Sequence, residues 1–549
     1  MSLLHLLMVS LCFSRLVVLS VELKQYKEKE NMSNGSVSLT VSDERKNFIS
    51  YNLEVESNDK AQRRSNNSVY PNVVLFLVDD LGYGDLGISG HPTSRSPAID
   101  RLASQSKIFT HFYVTSPVCS PSRASLLTGR YQVRSGIYPG ALGADNPRGL
   151  PLNETTIAEI LKKKGYRTLI VGKWHLGVGY EGEYLPAHHG FDDYLGVPYS
   201  HDMCPCYACF PDKPCEGGCS TSHVSCPLFS NTTIIEQPMQ LQSLTGKLVD
   251  KAKQFLKDSA QDDAPFFLYM PFMHVHHPQF SSEEFSGKSA RGIFGDALLE
   301  LDHSIDTILQ TLDTFDLADN TVVWFLSDNG PSLRRHEGGG CAGALRCGKG
   351  TAWEGGVRVP AFVRWPGHIG PSRTGELLSS LEVLPTIAAL TGADTSGLKL
   401  DGFDASDFLL DKTSESPREY FAVYPMDPSQ ETGPHAVVYR HLKAHFFTIG
   451  DLLSDDQNYD EICTSRHLLT EHNPPLLYDL SVDPGERWNV ANDTSFKISL
   501  IEMTAWRQAH MVDMTWMPSV TNDHDKYSEP CCTDHYCEPF PSCCDCPLK

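Results

Sequence analysis

The sequence is poor in positive charge. Its 46 lysines and arginines face 68 aspartates and glutamates, a formal net charge of −22 at pH 7, and a surface of that sign repels phosphate backbones and anionic lipid. Nucleic acid is therefore not expected as a partner. An anionic substrate would need lysine, arginine and histidine concentrated locally against that field, which makes any such cluster informative. Long apolar runs are also lacking: beyond Met1–Leu19 no stretch approaches membrane length, so no stable membrane insertion is expected. No internal repeat is visible, which removes the repeat architectures. The two cysteine clusters, at residues 204 to 226 and 531 to 546, lack the histidine partners and regular Cys-x-x-Cys spacing of zinc modules.

What is present describes an exported globular protein. The 549 residues suffice for two domains or for one large α/β core with an appended smaller unit, and 40% hydrophobic composition is ordinary for such a chain. Seventeen cysteines are hard to keep reduced and read as disulfides. Residues 1–22 read as a signal peptide: Met1–Leu19 is apolar apart from His5 and Arg15, although a basic leading region and a clean small-x-small cleavage site before Val21 are missing. Sequons at Asn31, Asn34, Asn66, Asn153, Asn231 and Asn492 agree with the secretory pathway, with a lysosomal or an extracellular destination.

Residues 23–69, rich in Lys, Glu, Asn and Ser, read as a polar leader or linker with almost no apolar periodicity. From Tyr70 to residue 414, apolar runs at Asn72–Val78, Arg167–Val171, Phe266–Phe272, Thr321–Leu326 and Val357–Val363 alternate with helical stretches such as Ile157–Lys164 and Phe294–Leu312. That alternation predicts an α/β fold, a large and mostly parallel mixed sheet flanked by helices. Residues 415–549 predict a smaller sheet-plus-helix unit, with strands at Ala436–Tyr439, Lys443–Thr448 and Leu476–Leu480, a helix near Ser499–His510 and a cysteine-rich tail.

Two strands end in oxygen donors. Val73–Val78 runs into Asp79 and Asp80, and Val322–Leu326 runs through Ser327 into Asp328 and Asn329. Adjacent carboxylates repel one another, and two such pairs at strand ends call for a hard cation such as calcium or magnesium. Asp79-Asp80-Leu81-Gly82 and Asp328-Asn329-Gly330 are also ordinary turn sequences, and both readings stand at this point.

The segment Pro117-Val118-Cys119-Ser120-Pro121-Ser122-Arg123, followed by Leu126-Leu127-Thr128-Gly129-Arg130, carries a resemblance. Cys-x-Pro-Ser-Arg before Leu-Leu-Thr-Gly-Arg resembles the first signature of the formylglycine-dependent sulfatase family, of arylsulfatase type. The second signature is similar to Gly165-Tyr166-Arg167-Thr168 leading to Gly172-Lys173-Trp174-His175, about fifty residues on. Tyr199-Ser200-His201-Asp202, Arg346-Cys347-Gly348-Lys349-Gly350 and Asp401-Gly402-Phe403-Asp404 extend the likeness over nearly the whole chain from Asn72.

The resemblance implies an alkaline-phosphatase-like fold and a sulfuric ester hydrolase. It implies that Cys119 is oxidised to formylglycine by a formylglycine-generating enzyme, so that one hydroxyl of the hydrated aldehyde attacks sulfur and the other loses its proton to expel sulfate. It implies one calcium ion, with magnesium as the alternative, held by Asp79, Asp80, Asp328 and Asn329 together with the modified Cys119. Arg123 would stabilise the modified side chain, Lys173 and Lys349 would bind sulfate oxygens, and His175 and Ser200 would complete the polar wall. His276 would bind substrate near the leaving oxygen, where with Lys349 it donates a proton; His274, two residues away, is placed to fill the same space. The substrate would be a sulfated small molecule, glycan or glycolipid, and a homo-oligomer is left open. Two other readings compete: a phosphatase or phosphodiesterase of the same wider fold, which usually needs two transition metals and a Ser or Thr nucleophile, and a non-catalytic extracellular protein that binds sulfated glycans.

The resemblance also implies a Cys347–Cys463 bridge, worth roughly 4 to 5 kcal/mol on the chain-entropy model, a free Cys341, and the pairs Cys206–Cys219 and Cys209–Cys215. The six tail cysteines would make three bridges. Cys204, Cys226 and the leader have no counterpart in the family, and parity then pairs Cys204 with Cys226, which requires α-carbons within about 7 Å.

Overall fold

The computed structural model describes residues 70–204, 226–451 and 460–530, together with the backbone of two strands, β1 (Ser36–Ser42) and β2 (Phe48–Glu54). The expected signal peptide, the pairs Cys206–Cys219 and Cys209–Cys215, the tail bridges and the sequons Asn31, Asn34 and Asn66 lie outside the described residues.

Residues Met1–Val69 form a unit of their own. Its strands β1 and β2 pair antiparallel, which departs from the reading of residues 23–69 as a leader without packed elements. A period-two signal was present. Val37, Leu39 and Val41, and then Ile49, Tyr51 and Leu53, alternate with other residues, and the register sets Val37 opposite Leu53, Leu39 opposite Tyr51 and Val41 opposite Ile49.

In the unit Tyr70–Lys549, ten strands build one mixed sheet: β3 (Asn72–Val78), β4 (Lys107–Tyr113), β5 (Arg167–Lys173), β6 (Asp193–Val197), β7 (Leu228–Ser230), β8 (Thr233–Glu236), β9 (Phe266–Pro271), β10 (Thr321–Ser327), β11 (Ala361–Arg364) and β12 (Ser372–Ser379). They run in the order β12-β4-β11-β10-β3-β9-β5-β6-β7-β8. The neighbours β10, β3, β9, β5 and β6 are parallel, and the antiparallel pairs lie to either side of them. Every residue of β3 is buried, as expected of a strand covered on both faces. Its side chains divide between two cores. Val73, Leu75 and Leu77 join one with the helices Cys119–Thr128, Ile157–Lys163 and Val383–Thr391. Val74, Phe76 and Val78 join the other with Pro97–Ser104, Leu241–Ser259 and Gly292–Thr314.

The expected run Val357–Val363 resolves into a short helix, Glu354–Val357, and β11. The helix Leu241–Ser259 escaped the sequence reading, although Leu241, Leu244, Leu248, Ala252 and Phe255 line its buried face at helical spacing; abundant Lys, Gln and Asp on the other face mask the pattern.

A second sheet, β13 (Tyr420–Val423), β14 (Ala436–Tyr439), β15 (Leu442–Thr448) and β16 (Thr470–Asp479), is antiparallel throughout. It buries Val437, Leu442, Ala444, Phe446 and Leu477 with Leu500 and Met503 of the helix Lys497–Asp513. Cys347–Cys463 joins this unit to the main sheet, with α-carbons 5.3 Å apart. Cys204 and Cys226 are also bonded, α-carbons 5.6 Å apart, as parity required. Among the described residues Cys119 and Cys341 are free, and no helix is long and apolar enough to cross a membrane. The sequon asparagines Asn153, Asn231 and Asn492 are exposed.

Candidate active site

Four adjacent parallel strands end at one place, where ligands collect in sheets of this kind. β10 leads into Asp328 and Asn329, β3 into Asp79 and Asp80, β9 into the segment His274–His277, and β5 ends on Lys173. Two successive strand residues would ordinarily point to opposite faces. Asp80 instead takes a left-handed φ of 58°, which asparagine and aspartate tolerate better than most residues, and the turn brings both carboxylates into one cluster. Gly172, before Lys173, has a φ of 132°, and a Cβ there would lie 2.0 Å from the Pro271 carbonyl oxygen. Only glycine permits that approach of β9 to β5.

Cys119 opens the helix Cys119–Thr128, every residue of which is buried. Its Sγ lies 3.4 Å from Asp79 Oδ1 and 3.4 Å from Lys349 Nζ. Arg123, one turn along, donates through Nε and Nη2 to Asp328 Oδ2 at 3.0 and 2.8 Å, approaches Asp79 Oδ2 at 3.3 Å, and reaches the Lys173 carbonyl oxygen at 3.0 Å. Lys173 Nζ donates to Asp79 Oδ2 at 2.6 Å and to Ser200 Oγ at 3.0 Å. Lys349 Nζ donates to Asp80 Oδ1 at 2.5 Å, Asn329 Nδ2 to the same oxygen at 2.7 Å, and the Asp80 N–H to Asp328 Oδ1 at 3.2 Å. His276 Nε2 stands 3.6 Å from Asp80 Oδ2.

The structure thus joins ten of the eleven residues selected from the sequence in one buried network. His175 attaches indirectly: its Nε2 lies 3.1 Å from the Leu142 carbonyl oxygen, and its Nδ1 is buried without a hydrogen-bond partner. His274 does not compete with His276. Its ring is turned to Glu300 at 2.8 Å and Thr245 at 3.2 Å, while its carbonyl oxygen accepts from the Asp79 N–H.

Burial alone would raise every carboxyl here, yet the acids diverge. Lys173, His276, Arg123 and Lys349 overcome burial and hold Asp79 well below the usual range, and Asp80 is lowered too, chiefly by Lys349. Asp328 is pushed up to about 6 by burial and by repulsion from Asp79. Burial, then Asp79, pushes the Cys119 thiol far up, so the side chain as encoded is a protonated and unreactive thiol. Burial, then Lys173 and Arg123, drives His175 well below its ordinary value, and burial, then Lys349, lowers His276.

A hard cation fits this cluster. Ligand atoms of Asp79, Asp80, Cys119 and His276 lie within 4.8 Å of one another, and Asn329 Oδ1, beside them, is buried without a hydrogen-bond partner. An orphaned carbonyl oxygen among three carboxylates is a donor set for calcium or magnesium. The thiol and the His276 nitrogen are the ill-matched donors, and oxidation at Cys119 would replace the sulfur with oxygen.

Sequence reasoning missed Asp202 and His201. Asp202 is held low, against burial, by His276, Lys173 and Ser200. The His201 ring stands edge-on to His276 with centroids 5.5 Å apart. Both follow Ser200 in the Tyr199–Asp202 segment, and that motif is the sequence signal that could have found them.

Residues 71–393 match the family model described as Sulfatase, and residues 416–546 the C-terminal region of aryl-sulfatase. Arylsulfatase A of Homo sapiens is 48% identical over 486 residues, covering 87% of this chain and 95% of that protein. Steryl-sulfatase of Rattus norvegicus is 35% identical, covering 82% and 90%. Among solved structures, the PsFucS1 sulfatase of Pseudoalteromonas sp. superposes with a TM-score of 0.70 at 25% identity, covering 85% of this chain and 94% of that one.

Proposed function

We propose, from the premise that this chain belongs to the sulfatase family and is a sulfuric ester hydrolase, that it cleaves sulfate monoesters with a formylglycine made from Cys119 beside a bound calcium ion. The observation that carries the reading is the seat of Cys119 between Asp79 and Lys349 at 3.4 Å from each, beside a cluster with an orphaned Asn329 oxygen.

Charge supports this. Asp79, Asp80 and Asp328 balance Arg123, Lys173 and Lys349, and with the ionised Asp202 beside them a divalent cation would still leave an excess of positive charge to receive a sulfate group on a protein that is otherwise strongly negative. Held by Asp79, Asp80, Asp328 and Asn329, that cation would supply Lewis-acid polarisation of a sulfate oxygen. The modified Cys119 side chain would supply the nucleophile, a hydrated aldehyde with a second hydroxyl whose deprotonation releases sulfate.

This chain's own residues do the rest. Arg123 neutralises Asp328 and Asp79 and so keeps the strand ends together. Lys173, fixed between Asp79 and Ser200, and Lys349 bind sulfate oxygens. Asp80 holds Lys349 in its charged form, so Lys349 with His276 carries the proton for the leaving oxygen. His175, neutral and with a free Nδ1 lone pair, is the acceptor on the other side.

Cys119 is only 3% exposed, so the modifying enzyme would have to act before this region closes. The bridges Cys204–Cys226 and Cys347–Cys463 and the exposed sequons support the secretory pathway, lysosomal or extracellular. The substrate is a sulfated small molecule, glycan or glycolipid. We assign the chemistry to residues 70–414 and a supporting role to 415–549.

The test is the mass of the peptide containing Cys119, measured beside turnover of an aryl sulfate. The aldehyde mass with multiple turnovers supports the reading. Full turnover by chains carrying unmodified Cys119 overturns it, and binding of sulfated glycan with no turnover by the aldehyde form would favour the non-catalytic alternative.

A further inference from the structure

We propose that the C-terminal strap, residues 516–525, is a positioning element for His175 and for the start of the Cys119 helix, acting through the loop 136–146. This rests on the role given to His175 above.

The loop has no helix or strand of its own, so its backbone groups must find partners elsewhere. At its middle, Leu142 faces both catalytic elements. Its N–H donates to Ser120 Oγ at 3.1 Å, next to Cys119 in the chain, and its carbonyl oxygen meets His175 Nε2 at 3.1 Å. A carbonyl only accepts, so this contact places the imidazole proton on Nε2 and leaves Nδ1 as a lone-pair acceptor. One loop residue therefore sets the tautomer of His175 and ties it to the helix that carries the nucleophile.

The strap fastens this loop on both sides of Leu142. On the leading side, the Val520 N–H donates to the Gly136 carbonyl at 2.9 Å, Ser519 Oγ to the Tyr138 carbonyl at 2.5 Å and Thr521 Oγ1 to the Pro139 carbonyl at 2.5 Å. Tyr138 returns its hydroxyl to the Met517 carbonyl at 2.6 Å and sets its ring edge-on to Trp516. On the trailing side, the buried Asn146 uses Nδ2 to bridge the carbonyls of Val520 and Thr521 at 2.9 and 3.1 Å, and the Asp525 N–H donates to the Asp145 carbonyl at 2.8 Å. Leu142 itself takes no hydrogen bond from the strap. The strap thus acts by fixing the loop's two shoulders, and freeing either shoulder lets Leu142 drift from His175. Misplacement of a catalytic group by about 1 Å can cost up to ~10²-fold in rate.

The experiment uses the full-length enzyme with Thr521→Val and Asn146→Ala, each assayed on an aryl sulfate below its thermal transition and normalised to folded protein. The side-chain ¹⁵N shifts of His175 are recorded in the same samples. The expected result is a fall in kcat of about tenfold or more, KM within twofold, and a His175 signal that moves from pure Nε2–H toward mixed tautomers. Arg148→Ala, which removes only the exposed Arg148–Asp523 pair at the strap's edge, should change kcat less than twofold. Unchanged kcat in both Thr521→Val and Asn146→Ala, or a fall in kcat with the Nε2–H tautomer intact, overturns the proposal. A wild-type enzyme that turns over no sulfate ester would defeat the functional reading instead, while the nitrogen shifts would still decide the strap's role.

Discussion

At the ends of β3 and β10, Asp79, Asp80 and Asp328 face Arg123, Lys173 and Lys349. Between the main sheet and the C-terminal sheet, Glu354 and Glu486 face Lys443 and Arg358. Both clusters are buried and both balance in formal charge, yet the first holds an acid that its partners do not bring down, although Asp79 and Asp80 beside it are lowered. Asp328 is pushed up to about 6, whereas Glu486 is pulled down to about 2, because Lys443 and His445 outweigh the cost of its burial.

The difference lies in what each oxygen touches. In the second cluster Lys443 Nζ bridges Glu354 Oε1 at 2.9 Å and Glu486 Oε1 at 3.2 Å, and His445 reaches Glu486 Oε1 at 2.6 Å. Tyr113 and Arg358 take Glu354 Oε2, and the Glu354 N–H donates to Glu486 Oε2. Every carboxylate oxygen there has a donor. The first cluster keeps a thiol at 3.4 Å, a histidine at 3.6 Å and an orphaned amide oxygen. A cluster whose carboxylates are completed by fixed donors locks two sheets together, and the incomplete one leaves a buried amide oxygen of the kind a hard cation would take.

The largest expected effect comes from Cys119→Ser in the incomplete cluster. A serine left unoxidised has no second hydroxyl to expel sulfate and stalls as a sulfate ester after at most one slow event, so kcat should fall at least ~10³-fold, about 4 kcal/mol, while the thermal midpoint barely moves. Sustained turnover by that variant would sink the mechanism.

In the completed cluster the effects reverse. Lys443→Ala strands two buried carboxylates and should cost about 3–5 kcal/mol in stability, with kcat per folded molecule retained. Chemical denaturation beside activity distinguishes the two, and a loss of kcat without loss of stability would erase the contrast.

Acid should act on the same lock. A depressed folded-state pKa contributes stability that is fully present above the unfolded value and is lost as pH falls through the folded one. For Glu486 that window runs from the ordinary 4.5 down to about 2, on the order of 3 kcal/mol for the full shift. His445, also lowered by burial, adds loss in the same direction. Thermal midpoints should fall across this range in the wild type and much less in Glu486→Gln, whose midpoint is already reduced; parallel acid curves would refute the assignment.

The smallest effect sharpens the first cluster alone. Calcium at about 100 times its dissociation constant should stabilise the metal-stripped protein by about 2 to 3 kcal/mol, read as a rise in thermal midpoint, and Asp328→Ala should abolish the rise. A rise that persists in Asp328→Ala would place the ion elsewhere.

The sequence by itself determined the order of buried strands, the donors at the ends of β3 and β10, the Cys119 motif and the Cys204–Cys226 pairing. These depend on local pattern, on residue chemistry next to a strand end, and on counting. Only the tertiary structure decided that the ring of His274 turns to Glu300 and leaves His276 facing Asp80, because two histidines two residues apart cannot be told apart by spacing. It alone joined Lys443 on β15 to Glu354 and Glu486, and brought residues 516–525 against the loop 136–146, contacts between segments distant in the chain. Local pattern records which residues wish to be buried; which charge meets which across such a distance is fixed only when the sheets close, and here that closure separates a lock from a site.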